Sequence, residues 1–137
     1  YGLSRILPSL IAARQGGIGL IASVAGMTGL PNATVYGPTK AALINLAEIL
    51  YADLHGKGLG VYLINPGFVA TGLTAKNRFA MPALLTPPQA AEAILEGLAA
   101  GQFDIHFPRR FTCWLKLLRL LPYRLLLPLL VKLGERA

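Results

Sequence analysis

The 137 residues hold thirteen Lys/Arg against six Asp/Glu, a formal charge of +7, and 54% of them are hydrophobic. That is enough apolar material for a single domain with its own core. One cysteine, Cys113, excludes an internal disulfide and two histidines exclude a metal cluster, so a reducing, cytoplasmic interior is the expected compartment.

The opening segment reads as a helix from Tyr1 to Arg14, with Leu3, Ile6, Leu7, Leu10 and Ile11 at helical spacing, ended by Gln15-Gly16-Gly17. Ile18–Ala22 is a short, continuously apolar run, the pattern of a parallel strand buried on both faces. A loop over Gly26–Pro31 leads to a helix from about Ala33 to His55, with Ala42, Leu43, Leu46, Ile49, Leu50 and Leu54 as its expected buried stripe. Pro38 is tolerable there only near the first turn, and Gly56-Lys57-Gly58 stops the helix. Val61–Ile64 is a second buried strand. Gly67–Pro88 is a loop with one short helix, Pro87–Ala99 another helix, and Phe103–Phe107 a third strand. Strands alternating with helices predict an α/β fold with a parallel sheet and right-handed crossovers.

Residues 103–137 carry seven Lys/Arg and two acids, +5, which leaves +2 for residues 1–102. The Leu-rich stretch from Phe111 to Leu133 is too interrupted by charge to span a bilayer. On a helical wheel Arg109, Thr112, Lys116, Arg119 and Tyr123 cluster within about one-third of the circumference, with Pro122 and Pro128 expected to break the helix into pieces. Such a basic stripe on an apolar helix suits contact with a membrane surface. The competing reading packs the tail on the sheet or on a second subunit. Aromatic residues are not interleaved as stacking platforms, so nucleic acid is not an expected partner. The division expected is residues 1–110 as the catalytic part and residues 111–137 as an amphipathic tail. His55 is expected at a helix end on the surface, and Cys113 as a small packed side chain.

In sheets of this kind ligands bind beyond the carboxyl ends of the strands. Ser23 and Asn65-Pro66-Gly67 both follow expected strand ends, and Tyr36 and Lys40 lie one helical turn apart on the helix between them. A phenol beside an ammonium gives up its proton more readily, because the positive charge favours the phenolate. That suits proton transfer to or from an alcohol near neutral pH.

The stretches Gly17–Gly26 with Ser23, Tyr36-Gly37-Pro38-Thr39-Lys40, and Val61–Thr71 with Asn65-Pro66-Gly67 together resemble the short-chain dehydrogenase/reductase family. The resemblance covers residues 1–102 and fades beyond them. It implies a doubly wound, Rossmann-like fold and an NAD- or NADP-dependent oxidoreductase that interconverts an alcohol and a ketone or aldehyde. Tyr36 is implied as the acid or base, Lys40 as its assistant and ribose ligand, and Ser23 as the group holding the substrate oxygen. Pro66, Gly67, the Val69 backbone and the Thr71 hydroxyl are implied on the nicotinamide side. Leu73, Phe79, Met81, Leu84 and Leu85 sit where the family has its substrate lid, and form either an apolar substrate wall or the lid's packing onto the core. A homo-oligomer acting on a small, lipophilic substrate is implied for the whole protein.

The family's Gly-rich pyrophosphate turn follows a strand and opens a helix, whereas Gly16-Gly17-Ile18-Gly19 precedes a strand. The chain is therefore expected to be the C-terminal part of a longer protein and nearly inactive alone, with the family's catalytic Asn and the residues that choose NAD or NADP upstream of Tyr1. Two alternatives stand beside the reductase: a non-catalytic cofactor-binding relative with a membrane or regulatory role, and an isomerase or dehydratase using the same Tyr and Lys.

Overall fold

The three apolar runs pair side by side in parallel, in the order β1 (Gly17–Ile21), β2 (Gly60–Pro66), β3 (Asp104–Phe107). Ile18 lies opposite Val61, Ile21 opposite Ile64, and Pro66 opposite Phe107. The computed structural model describes residues 2–72, 74–76 and 81–135. Around the sheet lie α1 (Gly2–Ala13), α2 (Tyr36–Leu54), α3 (Pro87–Ala99), α4 (Arg109–Arg119) and α5 (Tyr123–Gly134), with 3₁₀ turns at Val24–Gly26 and Thr74–Lys76. The start of α3 is set locally. The Thr86 hydroxyl accepts the Gln89 N–H, the Gln89 side chain accepts the Thr86 N–H at 2.9 Å, and Pro87 and Pro88 occupy the first turn, where no N–H is needed.

Strand alternation divides the core. Val61 and Leu63 face α1, α2, α4 and α5, and pack with Ile18, Ile44, Ala47, Leu50, Leu54, Leu115, Leu118, Leu126 and Leu130. Ile64, Ile105 and Phe107 face the other way and pack with Ala90 and Ile94 of α3. With the strands in consecutive order and α2 and α3 on opposite faces, the two crossovers have opposite hands, so the expectation of right-handed connections throughout fails for one of them. The long connection over residues 67–86 gives the chain room to change faces.

Two burial expectations are also corrected. β1 is covered on one face only: Ile18 is buried, but Gly19 and Ile21 are exposed, because no described element lies over that side. In α2 the buried line is Ile44, Ala47, Leu50 and Leu54, with Leu43 and Leu46 at its margin, while Ala42 and Ile49 face outward. Apolar residues occur on every side of this helix, with Lys40, Asn45, Glu48 and Asp53 among them, so its sequence alone selects an inward face only weakly. In α1, Leu3, Leu7 and Leu10 turn toward the core and Ile6 and Ile11 away from it.

The tail departs most from the helical wheel. Thr112 is fully buried, and its hydroxyl lies 2.6 Å from His106 Nδ1. Lys116 forms an ion pair with Asp104, whose other carboxylate oxygen accepts Asn65 Nδ2 at 3.0 Å. Two of the five residues of the expected headgroup-facing stripe, Thr112 and Lys116, thus dock α4 onto β3, where His106 and Asp104 offer polar partners. Cys113 is exposed rather than packed. Pro128 does not break the helix: it lies inside α5, and both it and Arg124, the residue one turn earlier whose carbonyl it cannot serve as a donor, are exposed.

Burial, the charge of Lys116 and that of Arg109 hold the His106 pKa below its ordinary 6.5, against the upward pull of Asp104. The unfolded chain therefore takes up this proton first, and the residue's contribution to stability is intact above pH 6.5 and declines as pH falls below it. In urea unfolding, the wild type is expected to lose stability from pH 6.5 downward more steeply than His106→Gln. Equal acid sensitivity in the two proteins would contradict this.

Candidate active site

Pairing continues just past β1, where the Ala22 N–H donates to the Ile64 carbonyl at 2.8 Å, and the extended register brings Ser23 level with Pro66. Ser23 is extended and 7% exposed. Its Oγ accepts the Ala25 N–H at 3.2 Å and so caps the 3₁₀ turn that follows. Its hydroxyl proton goes to no described residue, which leaves it available to an incoming oxygen.

That turn lies directly on α2. A Cβ built on Gly26 would stand 2.6 Å from the Lys40 carbonyl carbon and 2.7 Å from the Ala41 nitrogen, so only glycine permits this approach. Tyr36 is the first residue of α2 and 47% exposed. Pro38 falls in the first turn, where a missing N–H is harmless. Lys40, one turn on, reaches back to donate to the Ile21 carbonyl at 3.0 Å and lies 5.5 Å from the centre of the Tyr36 ring. The Lys40 ammonium thus ties the start of α2, with Tyr36, to the carboxyl end of β1, two residues before Ser23.

The second strand end is built differently. Gly67 donates to the Phe107 carbonyl at 2.8 Å, and a Cβ there would meet that oxygen and Pro108 at 3.1 Å. Val69 forms an isolated bridge with Leu85, which pins the loop base. Thr74, to which sequence reasoning gave no role, ties the next turn: its hydroxyl donates to the Val69 carbonyl at 2.6 Å and accepts the Thr71 N–H at 2.9 Å. The Thr-x-x-Thr spacing from Thr71 to Thr74 was the available signal. No hydrogen bond among the described residues joins this turn to Ser23, Tyr36 or Lys40.

Leu73 and Phe79 of the expected lid lie outside the described residues. Leu85 packs beside Ile64 in the core, Leu84 is exposed and Met81 half-buried. An apolar groove of about 840 Å³ opens instead between the loop after Ser23 and α5, lined by Ala25, Leu30, Ala33, Leu127, Leu130 and Val131 among others. Neither Ser23 nor Tyr36 lines it, though Ala25 and Gly37 on its wall adjoin them closely in sequence.

The family model described as short chain dehydrogenase matches residues 2–81. The chain belongs to the short-chain dehydrogenase family. It is 35% identical over 120 residues to an uncharacterized oxidoreductase of Myxococcus xanthus, covering 88% of this chain and 47% of that protein. A 3-oxoacyl-[acyl-carrier-protein] reductase of Thermotoga maritima is 31% identical over 98 residues, 72% of this chain and 36% of the relative. This short-chain dehydrogenase therefore spans less than half the length of these relatives. In fold it is similar to a short-chain dehydrogenase/reductase of Burkholderia phymatum solved with NAD, with a TM-score of 0.72 at 23% identity over 85% of this chain and 51% of that one. It is likewise similar to a Sphingobium yanoikuyae enzyme solved with NADPH, with a TM-score of 0.70 at 21% identity over 81% and 46%.

Gly26→Ala is expected to lower the stability of this short-chain dehydrogenase by about 1–3 kcal/mol, because backbone rather than a side-chain tip stands in the way. Gly29→Ala, with nothing within 4 Å of its built Cβ, is the control. Equal urea midpoints for the two variants would contradict the close packing.

Proposed function

We propose that the whole protein interconverts an alcohol and a ketone or aldehyde with NAD or NADP, through Ser23, Tyr36 and Lys40, on a lipophilic substrate. The observation that carries this is the placement of Lys40, 5.5 Å from the centre of the Tyr36 ring and bonded at 3.0 Å to the carbonyl of Ile21, which stands two residues before Ser23. Relatives named as a ketoacyl reductase of Nostoc and a 3-oxoacyl reductase of Thermotoga support a ketone as the oxidised partner. The apolar groove beside the Ser23 loop supports a lipophilic substrate body.

The residues fit a nicotinamide nucleoside. Lys40 uses one of its three ammonium donors on Ile21 and keeps others for ribose hydroxyls. Pro66 and Gly67 end the strand. The Val69 carbonyl already takes the Thr74 hydroxyl, and its second lone pair remains for a carboxamide, with Thr71 alongside. When bound, the nicotinamide supplies or accepts the hydride.

In the direction of reduction, the Ser23 hydroxyl donates a hydrogen bond to the substrate carbonyl oxygen and holds it in place. The Tyr36 phenol then gives its proton to that oxygen as it gains negative charge, and in oxidation takes it back. Lys40 keeps a positive charge beside the phenol throughout. A non-catalytic relative would have no use for all three groups. Residues 1–110 are assigned to the catalytic unit, and the enzyme is expected to work as a homo-oligomer.

Tyr36→Phe in the whole protein is expected to reduce turnover by about 10²–10⁴-fold, as loss of a general acid does, with an unchanged unfolding midpoint because the ring is half exposed. Steady-state kinetics on a ketone panel with both cofactors test this. A variant with normal turnover would remove Tyr36 from the reaction.

A further inference from the structure

The docking of α4 through Thr112 and Lys116, with Leu115 and Leu118 in the core, leaves a second line of large apolar residues facing outward. Trp114, Leu117, Leu120 and Tyr123, spaced three residues apart, are 47%, 64%, 81% and 75% exposed and form a ridge along α4 and around the corner into α5. Such a face is far more apolar than an ordinary solvent-facing helix requires. Residues 109–134 hold six Lys/Arg and no Asp or Glu. Of these, Lys116 alone has an acidic partner among the described residues, so Arg109, Arg110, Arg119, Arg124 and Lys132 present uncompensated charge around the ridge.

We propose that this ridge seats the protein on an anionic lipid bilayer, with Trp114, Leu117, Leu120 and Tyr123 in the acyl boundary and the cations at the headgroups. The combination of indole, phenol and Leu inside a cationic rim is the chemistry of an in-plane membrane contact. No described helix is long and apolar enough to cross a membrane, so the element lies on the bilayer. Charge selects this occupant over a second copy of the chain. An isologous pairing of two such faces would oppose cation to cation, whereas anionic headgroups complement every one of them. The contact differs from the stripe expected of the bare sequence, since Thr112 and Lys116 face the sheet and the apolar residues lead.

Trp114 is the chain's only tryptophan and reports directly on the contact. Whole protein is mixed with phosphatidylcholine vesicles and with mixed phosphatidylcholine/phosphatidylglycerol vesicles, and Trp114 emission, quenching by brominated lipid and flotation are followed. The anionic vesicles are expected to shift the emission to the blue, expose Trp114 to the quencher and float the protein, while the zwitterionic ones bind far less. Leu117→Asp and Leu120→Asp are each expected to weaken binding by on the order of tenfold or more. Arg110→Gln and Arg124→Gln are expected to weaken it about fivefold each. All four positions are exposed, and an unchanged urea midpoint verifies that the variants fold. Wild-type Trp114 that neither shifts nor meets the quencher on anionic vesicles overturns the proposal. So does Trp114 emission already blue without lipid, together with a dimer in sedimentation that Leu117→Asp dissociates: that result assigns the ridge to a second copy.

Discussion

The site depends on a contact between two stretches of backbone. The turn after β1 lies so close to α2 at Lys40 and Ala41 that no side chain fits between them, and Gly26 occupies the point of closest approach. Lys40 completes the clamp from the other side by bonding back to the last carbonyl of β1. These two ties fix the first turn of α2 against the strand end, so that Ser23 is held by the turn and Tyr36 by the helix. Packing density and one hydrogen bond therefore set the relative positions of groups that neither element would fix alone.

On the opposite flank, polar contacts work beside apolar ones. Asn65, Asp104 and Lys116 form one chain of hydrogen bonds and His106 and Thr112 a second, and together they attach α4 to the sheet. This attachment commits the remaining faces of the tail. Leu115, Leu118, Leu126 and Leu130 enter the core with Ala22, Val24 and Ile44, α5 becomes a wall of the groove beside the Ser23 loop, and the outermost apolar residues are left facing outward. The two tail helices together thus join the core, the groove and the surface.

Strand and helix order, the parallel sheet and the boundaries of α3 were legible in the sequence, because each rests on local chemistry: apolar runs of strand length, and the Thr86-Pro87-Pro88-Gln89 start of α3. The helical spacing of Tyr36 and Lys40 was legible for the same reason. What escaped depended on partners distant in sequence. The inward face of α2 was misread at Ala42 and Ile49, since apolar residues occur on every side of the helix and their periodic signal is weak. Thr112 and Lys116 looked like part of a solvent face because their partners His106 and Asp104 lie on a strand, and a helical wheel holds no information about them. Likewise the change of sheet face between α2 and α3 follows from a long connection, whose path composition does not specify.

The most direct test is a crystal structure of the whole protein with a nicotinamide cofactor and an unreactive ketone analogue. The Ser23 hydroxyl and the Tyr36 phenol are expected within about 2.6–3.2 Å of one analogue oxygen, the range for proton transfer, with Lys40 at the ribose. An analogue oxygen bound by neither group, or a cofactor whose ribose lies away from Lys40, would contradict the assignment.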